Sequence, residues 1–287
     1  MGLSRLLQRL HILPTPQVVP VVRLDGVLST GRVPLRGGGL SLQRVAPLLK
    51  KAFTMPGARA VALVINSPGG SPVQSSLIGK RIRQLAREKN LPVIAFVEDV
   101  AASGGYWLAA AADEIVVDAS SIVGSIGVIS GGFGFTEAIK KLGVERRVHA
   151  TGDKKGMLDP FRPEKPEEVE HLKSLQLEIH RRFIAWVKER RGLKLKGPDG
   201  ELFSGAFWTG ETAVRLGLAD ALGDLRGVSR ERFGAKVRLV PIEGRKPLLG
   251  GLLGRRARQQ DGDGFAEIGA GLLAAVEERF LWNRFGL

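Results

Sequence analysis

ARAVALVINSPGGSPVQSSLIGKRIRQLAREKNLPVIAFV, residues 58–97, joins two chemically different kinds of segment. Its ends, Ala58–Asn66 and Pro92–Val97, are apolar runs rich in β-branched side chains, without the alternation of a half-exposed strand. Continuous runs of that length belong to strands covered on both faces. The middle, Ser71–Lys89, instead places apolar residues at Val73, Leu77, Ile78, Ile82 and Leu85, the stripe of an amphipathic helix. Ser71 and Pro72 supply its cap and first-turn residue. Strand, helix and strand in that order imply parallel pairing through a right-handed crossover.

The same reading extends outward. Val18–Leu24 and Glu114–Val117 are further strands of this kind, and Ser103–Ala112 reads as a short buried helix between the third and fourth. The expected architecture is therefore α/β, built on a largely parallel sheet. After Ile126 the character changes to a Gly-rich stretch, Gly127–Phe135, a short helix in TEAIKKLG and a strand at Val144–Ala150. A polar loop, TGDKKGMLDPFRPEKP, leads into a long amphipathic helix over Glu167–Arg191, and another helix is expected at Thr209–Leu216. Residues 17–243 form the expected main domain. Residues 1–16, leucines interleaved with arginines, read as a short amphipathic helix. Residues 244–264 read as a flexible linker and 265–287 as a terminal amphipathic helix.

With 287 residues, 44% hydrophobic and 25% charged, the chain can bury a sizeable core. The absence of cysteine excludes disulfides, thiolate metal sites and a cysteine nucleophile. The four histidines, His11, His149, His171 and His180, lack metal-ligand spacing, so neither a metal nor a cofactor is expected. The net charge of +14 is spread along the chain without aromatic-interleaved basic motifs. Nucleic acid is therefore not an expected partner, whereas weak peripheral attraction to an anionic membrane is. No apolar run approaches the ~20 residues that span a bilayer, and no signal sequence is evident, so a cytoplasmic location is the default expectation.

Two turns carry the candidate chemistry. INSPGGS (65–71) sits where a parallel strand ends and a helix begins, and Gly69–Gly70 can aim main-chain N–H groups at a carbonyl oxygen. The alternative is a plain strand-to-helix turn. AASGGYW (101–107) repeats the arrangement one unit later, and there Ser103 reads either as a helix cap or as a nucleophile. A serine nucleophile needs a base, and no histidine is well placed. The remaining candidate is a lysine of the Lys154–Lys155 pair, where adjacent ammonium groups disfavour each other's protonation, unless both are simply solvated.

Taken together, INSPGG (65–70), AASGGYW (101–107), GSIGVI (124–129), GDKKGMLDPF (152–161) and FWTGETAVRLGLADALGD (207–224) resemble the signal peptide peptidase A (SppA/SohB) family of serine proteases. The resemblance covers roughly residues 17–230, in the family's order and spacing. It implies a ClpP/crotonase-like layered fold of repeated ββα units, here with a C-terminal helical extension. It also implies a Ser-Lys dyad that cleaves short or unfolded peptides, remnant signal peptides among them. Ser103 would be the nucleophile and Lys155, rather than Lys154, the general base. Gly69, Gly70 and Gly104 would supply the oxyanion hole, and Ser125 would orient the lysine. The family assembles as homo-oligomeric rings or domes in which serine and lysine can come from neighbouring subunits. Two departures stand out: the membrane anchor common in the family is not visible, and Gly205-Ala206-Phe207-Trp208 replaces the family's Gly-Arg.

Overall fold

A computed structural model describes residues 17–30, 39–243 and 279–286. The helix expected over 1–16, the linker over 244–264 and most of the helix expected from Phe265 onward lie outside the described residues.

The elements run β1 Val18–Asp25, α1 Leu42–Phe53, β2 Val61–Ser67, α2 Pro72–Lys89, β3 Val93–Ala102, α3 Gly104–Ala109, β4 Glu114–Val117 and β5 Ile122–Gly124. There follow α4 Thr136–Lys141, α5 Pro166–Arg191, α6 Asp199–Leu202, β6 Phe207–Thr209, α7 Gly210–Arg215, β7 Ala221–Leu222, α8 Leu225–Phe233 and β8 Arg238–Pro241. Helix α2 starts where the sequence says it should. The Ser71 hydroxyl accepts the Gln74 N–H, Pro72 occupies the first turn, and Asn90 closes the helix in the left-handed conformation.

The sheet order is β6-β5-β3-β2-β1-β8, with β4 and β7 extending from β3. Every pairing is parallel except β5 with β6. β3 is long enough to fork. Its first half, Ile94–Val97, pairs with Glu114–Val117, and its second, Val100–Ala102, pairs with Ile122–Gly124. On its other side the register with β2 jumps from Ile65↔Val97 to Ser67↔Ala101, leaving Glu98 and Asp99 as extra residues. Asn66 spans that irregularity: its Oδ1 accepts the Val100 N–H at 3.2 Å and its Nδ2 donates to Asp99 at 2.7 Å. The bend thus swings the end of β3, and the serine after it, onto β5.

Both faces of the sheet are covered, as the unbroken apolar strands require. One face packs Leu63, Ile65, Ala95 and Val97 against Leu49, Phe53, Ile78, Ile82 and the whole of α3. The other buries Val19, Val21, Ala62, Val64, Ile94 and Phe96 beneath Leu225, Val228 and Phe233 of α8. Helix α5 joins this body through its C-terminal half, where His180 also bonds the Ile126 carbonyl at 2.9 Å. Phe183 stacks on Trp107 at 4.6 Å, Trp186 donates to the Trp107 carbonyl at 3.0 Å, and Arg191 is buried. From Gly127 to Arg182 no residue is buried, and Ile129, Phe133 and Leu142 are each more than 70% exposed. Within this arm the strand expected at Val144–Ala150 is instead irregular and exposed. Among the described residues its apolar residues, Val144 and Val148, meet no partner strand, and without a ladder the β-propensity goes unused.

Candidate active site

The two glycine turns meet at the carboxyl ends of β2 and β3. A Cβ added to Gly69 would lie 2.8 Å from the Ser103 Cβ and 2.9 Å from the Gly104 nitrogen. One on Gly70 would strike the Leu28 carbonyl oxygen at 2.3 Å, and one on Gly104 the Ser75 hydroxyl at 2.5 Å. Glycine at these positions is thus a matter of space, and at Gly69 (φ 111°) and Gly70 (φ 131°) also of conformation. The Gly69–Gly70 turn is stitched to the segment after β1: Leu28 N–H donates to the Gly69 carbonyl at 2.8 Å and Ser71 N–H to the Leu28 carbonyl at 2.7 Å. Ser67 Oγ adds a bond to the Gly26 carbonyl at 2.7 Å. Leu28 and Ser75 escaped the sequence reading. Leu28 acts here through its main chain, which leaves no side-chain signature, and Ser75 is one of several serines in α2.

Ser103 opens α3, yet its backbone is not that of a cap. Three helix starts among the described residues show capping: Ser71, Thr209 and Asp224 each accept a hydrogen bond from an N–H of the first turn. Ser103 makes no such bond and holds φ 51°, ψ −119°, a combination that disfavours any residue with a Cβ. The conformation is fixed from outside. Ser103 N–H donates to the Gly124 carbonyl at 2.8 Å, its carbonyl accepts the Trp107 N–H at 3.0 Å, and Gly69 presses from the side. The main-chain N–H groups of Gly70 and Gly104 have no acceptor among the described residues.

Ser125 lies beside Ser103. Ala102 is paired with Gly124, so the two serines follow adjacent strand ends, and Ser125 repeats the φ of 51°. It is buried, with its N–H on the Ala206 carbonyl at 2.7 Å, and Trp208 packs against Gly124. The Gly205–Trp208 stretch that departs from the family therefore acts as the rail behind this strand end.

Lys155 is not part of this cluster within one chain. It is exposed on the 151–158 loop of the arm, as is Lys154, and no hydrogen bond links it to Ser103 among the described residues. The fold therefore assembles Gly69, Gly70, Ser103, Gly104 and Ser125 in one place and leaves the lysine outside it. The arrangement offers a half-buried serine on a strained backbone, packed against the Gly69 turn, with the N–H groups of Gly70 and Gly104 left without acceptors among the described residues, which suits attack on a carbonyl. Among the described residues no helix is long and apolar enough to cross a membrane.

Much of the chain resembles known proteins. The model of peptidase family S49 matches residues 85–234. The chain is 54% identical over 273 residues to a protein of Brucella abortus named Na(+)/H(+) antiporter NhaA, covering 94% of this chain and 37% of that protein. It is 34% identical over 226 residues to Protease 4 of Haemophilus influenzae, covering 77% of this chain and 35% of that one. With Serine protease SPPA, chloroplastic, of Arabidopsis thaliana it shares 31% identity over 210 residues, which is 72% of this chain and 31% of that one. The chain thus spans about a third of the length of these relatives. Among solved structures, the 1510-N membrane-bound stomatin-specific protease covers 82% of this chain at 17% identity and a TM-score of 0.47. The forked, mostly parallel sheet with helices on both faces is the ClpP/crotonase-like α/β fold. The family model takes in both serine-bearing strand ends and the lysine loop, more than half of the 287 residues; the chain belongs to peptidase family S49, as an SppA-like member.

Proposed function

We propose that the protein is a serine endopeptidase of the Ser-Lys type acting on short or unfolded peptides, remnant signal peptides among them. The observation that carries this reading is the Ser103 elbow, strained at φ 51°, uncapping and packed against Gly69, with the N–H groups of Gly70 and Gly104 unengaged among the described residues. In the proposed reaction a neutral Lys155 amine takes the proton from Ser103 Oγ as that oxygen attacks the peptide carbonyl. The oxyanion is held by the N–H groups, and collapse returns the proton to the departing amine, leaving an acyl-Ser103 ester. Water, deprotonated by the same lysine, attacks the ester and regenerates the serine. Ser125 orients the lysine. Because Lys155 is exposed on an arm without buried residues, the lysine that serves a given Ser103 comes from a neighbouring copy in a homo-oligomer.

Mixing tests both halves of the reading. Ser103→Ala and Lys155→Ala are each expected to be inactive on an internally quenched peptide, and a mixture of the two, reassembled from dissociated subunits, to regain activity. Peptide hydrolysis by Ser103→Ala would overturn the nucleophile; a mixture that stays dead would overturn the shared dyad.

The identity to part of a protein named as an antiporter favours a companion reading on location: the peptidase works at a membrane beside such a transporter. The net charge of +14 suits an anionic bilayer surface. Sedimentation with vesicles containing anionic lipid, and none with neutral vesicles, is the expected result; no sedimentation with either overturns it.

A further inference from the structure

The residues just after Lys155 are held far more tightly than an exposed loop requires. Four consecutive residues, Leu158 to Phe161, are tied to three other points of the arm, Glu168, Arg146 and Phe135. Leu158, at φ 55°, donates its N–H to the Glu168 carboxylate in the first turn of α5 at 2.7 Å. Asp159, whose side chain is 6% exposed, accepts the Arg146 Nε–H at 2.9 Å and the Phe161 N–H at 3.1 Å. The Pro160 carbonyl accepts the Phe135 N–H at 2.6 Å. The Phe161 ring lies 5.6 Å from that of Phe135, with the Arg146 guanidinium 4.8 Å above it. On the near side, Lys155 N–H closes a turn on the Gly152 carbonyl at 3.1 Å.

A surface loop that only joins two elements gains nothing from covering a carboxylate side chain with arginine and main chain and holding a leucine at positive φ. Such strain persists where the surroundings over-determine a position, and what this bracket over-determines is the point from which Lys155 projects. We infer that Asp159 and Glu168 are positioning residues for Lys155, fixing its loop on the arm so that the amine is presented at one place to the serine it serves. The inference rests on the proposed role of Lys155 as the base. Neither carboxylate touches the reacting atoms: Asp159 works through Arg146 and the Phe161 N–H, and Glu168 through the Leu158 N–H.

The test uses the full chain, the quenched peptide and the variants Asp159→Ala, Glu168→Ala and Glu168→Gln, with Lys155→Ala as reference. Misplacing a catalytic group by a fraction of an ångström to an ångström is expected to lower kcat by about tenfold or more in both alanine variants, with KM nearly unchanged. Glutamine keeps an oxygen for the Leu158 N–H, so Glu168→Gln is expected to recover most of what Glu168→Ala loses. Unchanged kcat in both alanine variants beside an inactive Lys155→Ala overturns the positioning role. So does a loss confined to KM or to the titre of folded enzyme, or a glutamine that rescues nothing. An active Lys155→Ala instead overturns the Ser-Lys reading, and the inference falls with it.

Discussion

Replacing Gly69 by alanine puts one methyl group against the back of Ser103. The added Cβ would sit 2.8 Å from the Ser103 Cβ, 2.9 Å from the Gly104 nitrogen and 3.0 Å from the Ala102 carbonyl oxygen, where ordinary contact begins near 3.4 Å. Ser103 and Gly69 must then separate by about 0.6 Å, the difference between 3.4 and 2.8, and all three neighbours are main chain or Cβ, with no flexible end to swing away. Forcing alanine to φ 111° adds strain, so the change should destabilise the fold by about 2–6 kcal/mol in all, inside the ~5–15 kcal/mol that holds a domain together. The nucleophile and the Gly104 N–H move together, and a shift of this size should slow acylation on the order of 10- to 100-fold. Labelling of Ser103 by a fluorophosphonate reads the rate, and urea unfolding reads the stability. Gly57→Ala is the control: its φ of 76° imposes strain, but nothing lies within 4 Å of the added methyl, so it should cost about 1 kcal/mol and leave labelling unchanged. A destabilised Gly69→Ala that labels at the wild-type rate would refute the idea that this turn sets the position of the serine.

Ser103→Gly should abolish labelling while raising stability by about 1 kcal/mol net, because glycine accepts φ 51° without strain but loses more chain entropy on folding. A lower urea midpoint in that variant would contradict a strained elbow. Arg191→Met removes a buried guanidinium that donates to the Gly217 carbonyl at 2.8 and 3.0 Å and to Asp220 at 2.7 and 3.1 Å. Lys194 still pairs with Asp220 at 2.8 Å, so the expected cost is about 3 kcal/mol, at the low end for breaking a buried pair. Burial works to raise the Asp220 pKa, but the hydrogen bonds from Arg191, Lys194 and the Ile115 N–H overcome it and hold the carboxyl below its ordinary range. A depressed carboxyl stabilises the fold above its unfolded pKa and loses that contribution on acidification, so the gap between wild type and Arg191→Met should narrow below about pH 4. A gap that widens there would show that Asp220 is not the group responsible.

The parts of the fold that were legible in the sequence are those whose signal is local. The unbroken runs at 61–67 and 93–97 could only be strands covered on both faces, and the stripe from Val73 to Leu85 could only be a helix. What stayed hidden depends on partners distant in sequence. β5, β6 and β7 have two or three residues each, too few for any periodicity, and exist because β3, β5 and β4 respectively offer them an edge. α1 carries Pro47 in its interior, which breaks the helical reading of Leu42–Phe53. Val144–Ala150 has the composition of a strand and nothing to pair with among the described residues. At the site, the glycines announced the two turns, but neither the uncapped state of Ser103 nor its alignment with Ser125 could be read without the register of β3 on β5. The exposure of Lys155 is a fact about the arm's packing, to which the loop's own composition is blind.

The arm, which runs from Gly127 to Arg182 without a buried residue, has a thermodynamic consequence. Its main-chain amides have little to shield them, so hydrogen exchange should be fast along it and slow in β1–β4. A segment without a core is only as stable as the surface that covers it, and when that surface belongs to another molecule its stability follows mass action. Dilution would then loosen the arm first while the sheet stays intact, and specific activity would depend on how many copies are present.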